Sequence, residues 1–141
     1  MSTGVNYVKM QEKILMIQMD SAVVRAMEAV LGDAYQLVAK NDGLEAIDWL
    51  EKGNHADIIV ADAAMPYLSS VDFLRELRSR PLFRHVPILL LSDLDQVTER
   101  SYYLNAGASD FAVKPLPKAQ LKQRIRLLLD GAKESHREIA A

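Results

Sequence analysis

The chain has 141 residues, half of them hydrophobic and 26% charged, with a formal net charge of −2, the balance of one compact globular domain rather than of a disordered or membrane-spanning chain. Near-neutral charge gives no long-range field to draw in nucleic acid or an anionic membrane surface. The lack of cysteine excludes disulfides, thiol catalysis and thiolate metal sites, and no apolar run has signal-peptide or membrane-spanning length, so a cytoplasmic protein is expected.

After an extension over residues 1–12, the run Ile14 to Met19 reads as a buried strand. Asp20 and Ser21 are N-cap candidates for a helix carrying Ala22, Val23, Ala26, Met27, Val30 and Leu31, which Gly32 ends. Tyr35 to Ala39 is a shorter strand, and Asn41-Asp42-Gly43 turns the chain into a helix with Leu44, Ile47 and Leu50 on one face, closed by Gly53. Asp57 to Ala61 is a β-branched run of the type found in central parallel strands, and it delivers Asp62 to its carboxyl end. A loop from Ala63 to Ser70 leads to a helix over Val71 to Ser79, stopped by Pro81. Pro87 opens a fourth strand, Ile88 to Leu91, that ends at Ser92. A helix of weaker pattern follows from about Gln96 to Asn105, with Gly107 as its cap. Ser109 to Val113 is the fifth strand and ends at Lys114. Pro115 and Pro117 then mark the turn into a last helix with Leu121, Ile125, Leu128 and Leu129 inward. Residues 13–130 are the expected domain, and 131–141, from Gly131, a frayed tail.

Five strand–helix pairs in alternation predict an α/β fold: a doubly wound, five-stranded parallel sheet with right-handed crossovers and five helices on its two faces. In such sheets chemistry sits beyond the carboxyl ends of the strands. The residues there are Gln18, Met19 and Asp20, then Asp62, Ser92 and Lys114. A carboxylate can attack a phosphoryl group, an ammonium can neutralise its oxygens and a hydroxyl can hydrogen-bond one of them; Asp62, Lys114 and Ser92 supply those groups. His55, His85 and His136 form no ligand set, and no Gly-rich phosphate loop is present.

From Lys13 to Lys133 the chain resembles the receiver domain of two-component response regulators. The resemblance is carried by Asp57-Ile-Ile-Val-Ala-Asp62 with Met65-Pro66, by Asn41-Asp42-Gly43-Leu44-Glu45-Ala46, by Pro87-Ile-Leu-Leu-Leu-Ser92, by Gly107-Ala108-Ser109-Asp110-Phe111 and by Lys114-Pro115-Leu116. It implies a flavodoxin-like strand order 2-1-3-4-5, with Asp62 as phosphoacceptor, Ser92 as switch hydroxyl, Phe111 as switch aromatic, Lys114 as active-site lysine and a cis Lys114–Pro115 bond. It also implies Mg²⁺ as cofactor, and a histidine kinase or phosphotransfer protein as partner. A homodimer through the face of the fourth helix, fifth strand and fifth helix is a further implication.

The chain departs from the family where the first strand ends, since Gln18 and Met19 stand in place of two acidic Mg²⁺ ligands. A neutral amide and a soft thioether suit that ion poorly. Asp20 can serve as a substitute ligand beside Asp62 or, the reading placed first, as a helix cap. Tyr67-Leu68-Ser69-Ser70 replaces a glycine-containing turn, with Tyr67 over the pocket mouth or on the surface, and Asp93 puts an extra carboxylate beside Ser92. Tyr102 and Tyr103 read as half-buried packing or as a partner anchor, and Lys118, Lys122 and Arg126 as a solvated stripe. The expectation is a signalling domain, not an enzyme, that acts through protein–protein contact with impaired phosphorylation. The alternative is a working phosphoacceptor modified on Asp62 by a histidine kinase. An enzyme using Asp62 is disfavoured because Ala63 and Ala64 offer no second carboxylate.

Overall fold

The computed structural model describes residues 10–93 and 97–140. Five strands, β1 (Lys13–Ile17), β2 (Gln36–Lys40), β3 (Ile58–Asp62), β4 (Ile88–Ser92) and β5 (Asp110–Val113), alternate with α1 (Ser21–Leu31), α2 (Gly43–Glu51), α3 (Ser70–Ser79), α4 (Val97–Ala106) and α5 (Lys118–Ala140). All pairings are parallel and the order is β2-β1-β3-β4-β5, the doubly wound arrangement expected.

The two-residue period of the strands divides the core between two faces. Leu15, Ile17, Ile59, Ala61, Ile88, Leu90 and Phe111 point to one, where Ile47 and Leu50 of α2 and Phe73, Leu74 and Leu77 of α3 cover them. Ile14, Met16, Ile58, Val60, Leu89 and Ala112 point to the other, under Met27 and Leu31 of α1 and Leu121, Ile125 and Leu129 of α5. Both faces of the central strands are therefore apolar, which explains why β3 and β4 read as continuous hydrophobic runs. Truncating one of these fully buried side chains, Phe73 to alanine for example, costs about 3–5 kcal/mol.

Side-chain caps set the helix starts. Asp20 accepts from Ala22 N at 2.9 Å, Asp42 from Glu45 N at 2.9 Å and Ser69 from Asp72 N at 3.1 Å. Glu45 Oε2 in turn accepts from Asn41 N at 2.9 Å, which fastens the residue before the cap to the first turn.

Four local expectations shift. The first strand stops at Ile17, two residues before Met19, because Gln18 and Met19 already lie beyond the sheet's carboxyl edge. Tyr35 is not in a strand: its N–H bonds Leu31 O at 3.0 Å and completes the turn that leaves α1. The last helix does not fray at Gly131 but runs to Ala140, since an exposed glycine inside a helix costs only about 1 kcal/mol. Arg126 is not solvated like its stripe neighbours. Its Nη1 and Nη2 donate to Glu12 Oε1 and Oε2 at 2.8 and 3.1 Å and clamp α5 to the start of β1. Gln96, the expected start of the fourth helix, lies outside the described residues.

Candidate functional site

β3 is the central strand, and its last residue, Asp62, projects at the carboxyl edge with a side chain 14% exposed. Its register partner is Leu91, which places Ser92 at the next step of β4. Lys114 follows β5 directly, its N–H bonding Ser92 O at 2.7 Å, so the sheet's hydrogen bonds carry the lysine to the aspartate. Lys114 Nζ donates to Asp62 Oδ2 at 2.5 Å and lies 3.6 Å from Asp93 Oδ1. The Lys114–Pro115 bond is cis.

Two further donors reach the carboxylate. Ala64 N donates to Asp62 Oδ1 at 2.9 Å, and Gln18 Nε2 donates to Oδ2 at 3.2 Å. The Gln18 amide is held in that orientation, because its Oε1 accepts from Asp20 N at 3.0 Å. Burial pushes the Asp62 carboxyl up, but the hydrogen bonds from Lys114, Ala64 and Gln18 together outweigh it and hold the group below the usual aspartate range. Burial likewise pushes Lys114 down, and its pairing with Asp62 and Asp93 reverses the sign and raises it. The ground state is a half-buried ion pair, charged on both sides at neutral pH.

Asp62, Ser92 and Lys114 are thus brought together at one edge. Asp20 is not drawn in: its carboxylate turns back to Ala22 N, at the start of α1. Met19 is exposed. Tyr67 is 87% exposed and sits at φ 69°, with its ring in solvent rather than packed on the surface. Asp93 is exposed and reaches the site only through Lys114. Among the described residues, no group of three or more acidic or histidine side chains is arranged to hold a metal ion. His55 is engaged with Asp57 at 2.7 Å.

Phe111 is fully buried and held by two residues of α4. The Tyr103 ring stacks on it at 5.5 Å between centroids and 13° between planes, and the Arg100 guanidinium lies 5.4 Å from its centroid while Nη1 donates to Phe111 O at 2.8 Å. Tyr103 is therefore packing, whereas Tyr102 is 55% exposed. Sequence reasoning missed Gln18 as a donor to Asp62 and Arg100 as a clamp on Phe111. The first was legible only as a departure from an acidic pattern. The second had a usable signal, because Arg100 and Tyr103 are three apart and share a helix face.

Residues 14–126 match the family model of the response regulator receiver domain. The response regulator MprA of Mycobacterium sp. (strain KMS) is 37% identical over 121 residues, covering 85% of this chain and 51% of that protein; the chain spans about half the length of the curated relatives it matches. Among solved structures, the receiver domain of a signal transduction histidine kinase from Syntrophus aciditrophicus superposes with a TM-score of 0.78 at 27% identity, covering 85% of this chain and 91% of that one. The receiver domain of sensor histidine kinase PA1611 from Pseudomonas aeruginosa PAO1, with a magnesium ion coordinated in its active-site cleft, gives a TM-score of 0.77 at 26% identity, over 85% and 98% of the two chains.

Proposed function

The chain belongs to the response regulator receiver domain family, and from that premise we propose that it is a degenerate receiver that acts by docking to a protein partner while phosphorylation of Asp62 is impaired. Receivers are signalling modules that interact with histidine kinases or phosphotransfer proteins. In this reading residues 13–130 are the receiver unit, Asp62 keeps the phosphoacceptor position, Lys114 and Ser92 flank it and Phe111 keeps the switch position.

The observation that carries the reading is that three donors from within the chain already hold Asp62. Its oxygens accept from Lys114, Gln18 and Ala64, and the positive charge that a divalent ion brings to such a site is supplied by the lysine alone. The residues present do not fit Mg²⁺. One carboxylate, one neutral amide and one thioether make a poor donor set for a hard cation that prefers charged oxygen ligands in octahedral geometry, and Asp20 is committed to its helix. Without such an ion, an incoming phosphoryl group meets the Asp62 carboxylate with Lys114 as sole compensation, while Asp93 adds repulsion. Docking is assigned to the face of α4, β5 and α5, where Tyr102 and Leu104 are exposed; the same face is where a homodimer would form.

Amide-shift titration with Mg²⁺ and then beryllofluoride, alongside an Asp62→Asn control, tests the reading. We expect no saturable shift at Asp62, Ser92 or Phe111, and a Mg²⁺-dependent shift once Gln18→Asp and Met19→Asp are introduced together. Saturable shifts in the unaltered chain that vanish in Asp62→Asn would establish instead a working phosphoacceptor.

A further inference from the structure

At the foot of the sheet, opposite Asp62, Arg78 and the loop after α3 face the stretch of α5 from Leu127 to Ser135. A cavity of about 430 Å³ opens there, within the size range of small-molecule sites. One wall carries Arg78, Arg84, His85 and Ser109, and none of the described residues that line the cavity is acidic.

Arg78 is the key to its charge. Its Nε donates to Gly107 O at 2.9 Å, and Nη1 donates to Val86 O at 2.7 Å and Arg84 O at 3.1 Å. Carbonyl dipoles satisfy its N–H groups without cancelling its charge, and burial pushes the guanidinium below its usual value while leaving it protonated. Nη2 reaches Ser109 Oγ only at 3.4 Å, a long contact that leaves donor capacity to spare. Arg84 Nε meets His85 Nε2 at 3.3 Å, and its Nη groups bond no described residue. The opposite wall is apolar and comes from α5, with Leu128 half-buried and Leu127 63% exposed. Gly131 lies between them and the helix end, and a Cβ added to it would meet nothing within 4 Å.

We propose that this cavity binds a small amphipathic anion, with a carboxylate or phosphate head on Arg78 and Arg84 and an aliphatic body along Leu127 and Leu128. The head would supply the counter-charge that Arg78 lacks in its half-buried setting, and the body would cover apolar surface that α5 leaves in water. Because the walls belong to α3 and the loop after it, to Ser109 just before β5 and to α5 from Leu127 to Ser135, occupancy ties α5 to the foot of the sheet. The domain then has an input that owes nothing to Asp62.

The test is an amide-shift titration of the full chain with octanoate, octyl phosphate, inorganic phosphate and, as neutral control, octanol. Octanoate or octyl phosphate is expected to give saturable shifts at Arg84, Ser109, Gly131 and Ser135, with octanol and inorganic phosphate each at least about tenfold weaker. Whichever headgroup binds tighter identifies the ligand's chemistry. Arg84→Glu should weaken the anion about tenfold or more, and Gly131→Leu, whose side chain enters the open space without disturbing Arg78, should abolish binding. No saturable shift with either anion, equal affinity for octanol, or unchanged octanoate binding in Gly131→Leu would each overturn the proposal.

Discussion

Lys114 and Arg78 are two half-buried cations at opposite ends of one sheet, and they are satisfied in opposite ways. Lys114 faces carboxylates, Asp62 at 2.5 Å and Asp93 at 3.6 Å, so its charge is cancelled where it stands. Arg78 faces carbonyl oxygens and a hydroxyl, so its hydrogen bonds are met while its charge persists. Hydrogen-bond satisfaction and charge neutralisation are separate conditions. At the carboxyl edge the lysine meets both conditions; at the foot the arginine meets one and keeps a positive field.

The largest effect is expected from Arg78→Met, which strands the Gly107, Val86 and Arg84 carbonyls together; a loss of about 3 kcal/mol, lowering Tm by about 10 °C, is expected in thermal denaturation followed by circular dichroism. Gly107→Ala disturbs the same arginine without touching its charge. Gly107 lies at φ +125°, and an added Cβ would stand 2.7 Å from Arg78 Cγ, so a cost of about 2 kcal/mol is expected.

At the other end, Lys114→Met leaves the Asp62 carboxylate half-buried with only Gln18 and Ala64 as donors. A loss of about 1–2 kcal/mol at pH 7 is expected by urea denaturation, most of it regained in Lys114→Met/Asp62→Asn because the stranded charge is gone. The smallest effect is in acid. Asp62 titrates below its unfolded value of about 3.9, so its contribution is complete above that pH and is lost as pH falls through the lower folded value. Subtracting the Asp62→Asn stability profile from that of the unaltered chain should reveal a decline confined to acid, below about pH 4. A difference that stays flat from pH 7 to pH 2 would show that folding does not lower the Asp62 carboxyl.

The five strand–helix pairs were legible because apolar runs and helix caps agree along the whole chain, from Ile14 to Leu129, while the strand order was what the family resemblance implied. Strand ends were less legible. Met19 continues the apolar run of β1 in composition, and only the sheet's edge, a tertiary feature, ends the strand at Ile17. At the candidate site, Asp62, Lys114 and Ser92 were readable from their places after strands. Gln18 as a donor was not, because an amide's partner depends on which oxygen the fold turns toward it. Arg78 went unread although a clue was present: Ser70, Leu74 and Arg78 follow at four-residue spacing, which places the arginine on the buried stripe of α3. An arginine in that position needs acceptors, and they come from loops that no local pattern announces.

The clasp between Glu12 and Arg126 also bears on how the chain folds as it is synthesised. Its partners are 114 residues apart, so the fork that fastens α5 to the first strand cannot close until almost the whole domain has left the ribosome. Until then one face of β1 and β3, with Ile14, Met16, Ile58 and Val60, lacks the cover of Leu121, Ile125 and Leu129. Growing from the amino end, the nascent chain has only Met27 and Leu31 of α1 to cover this surface until α5 is made, a window for chaperones to act.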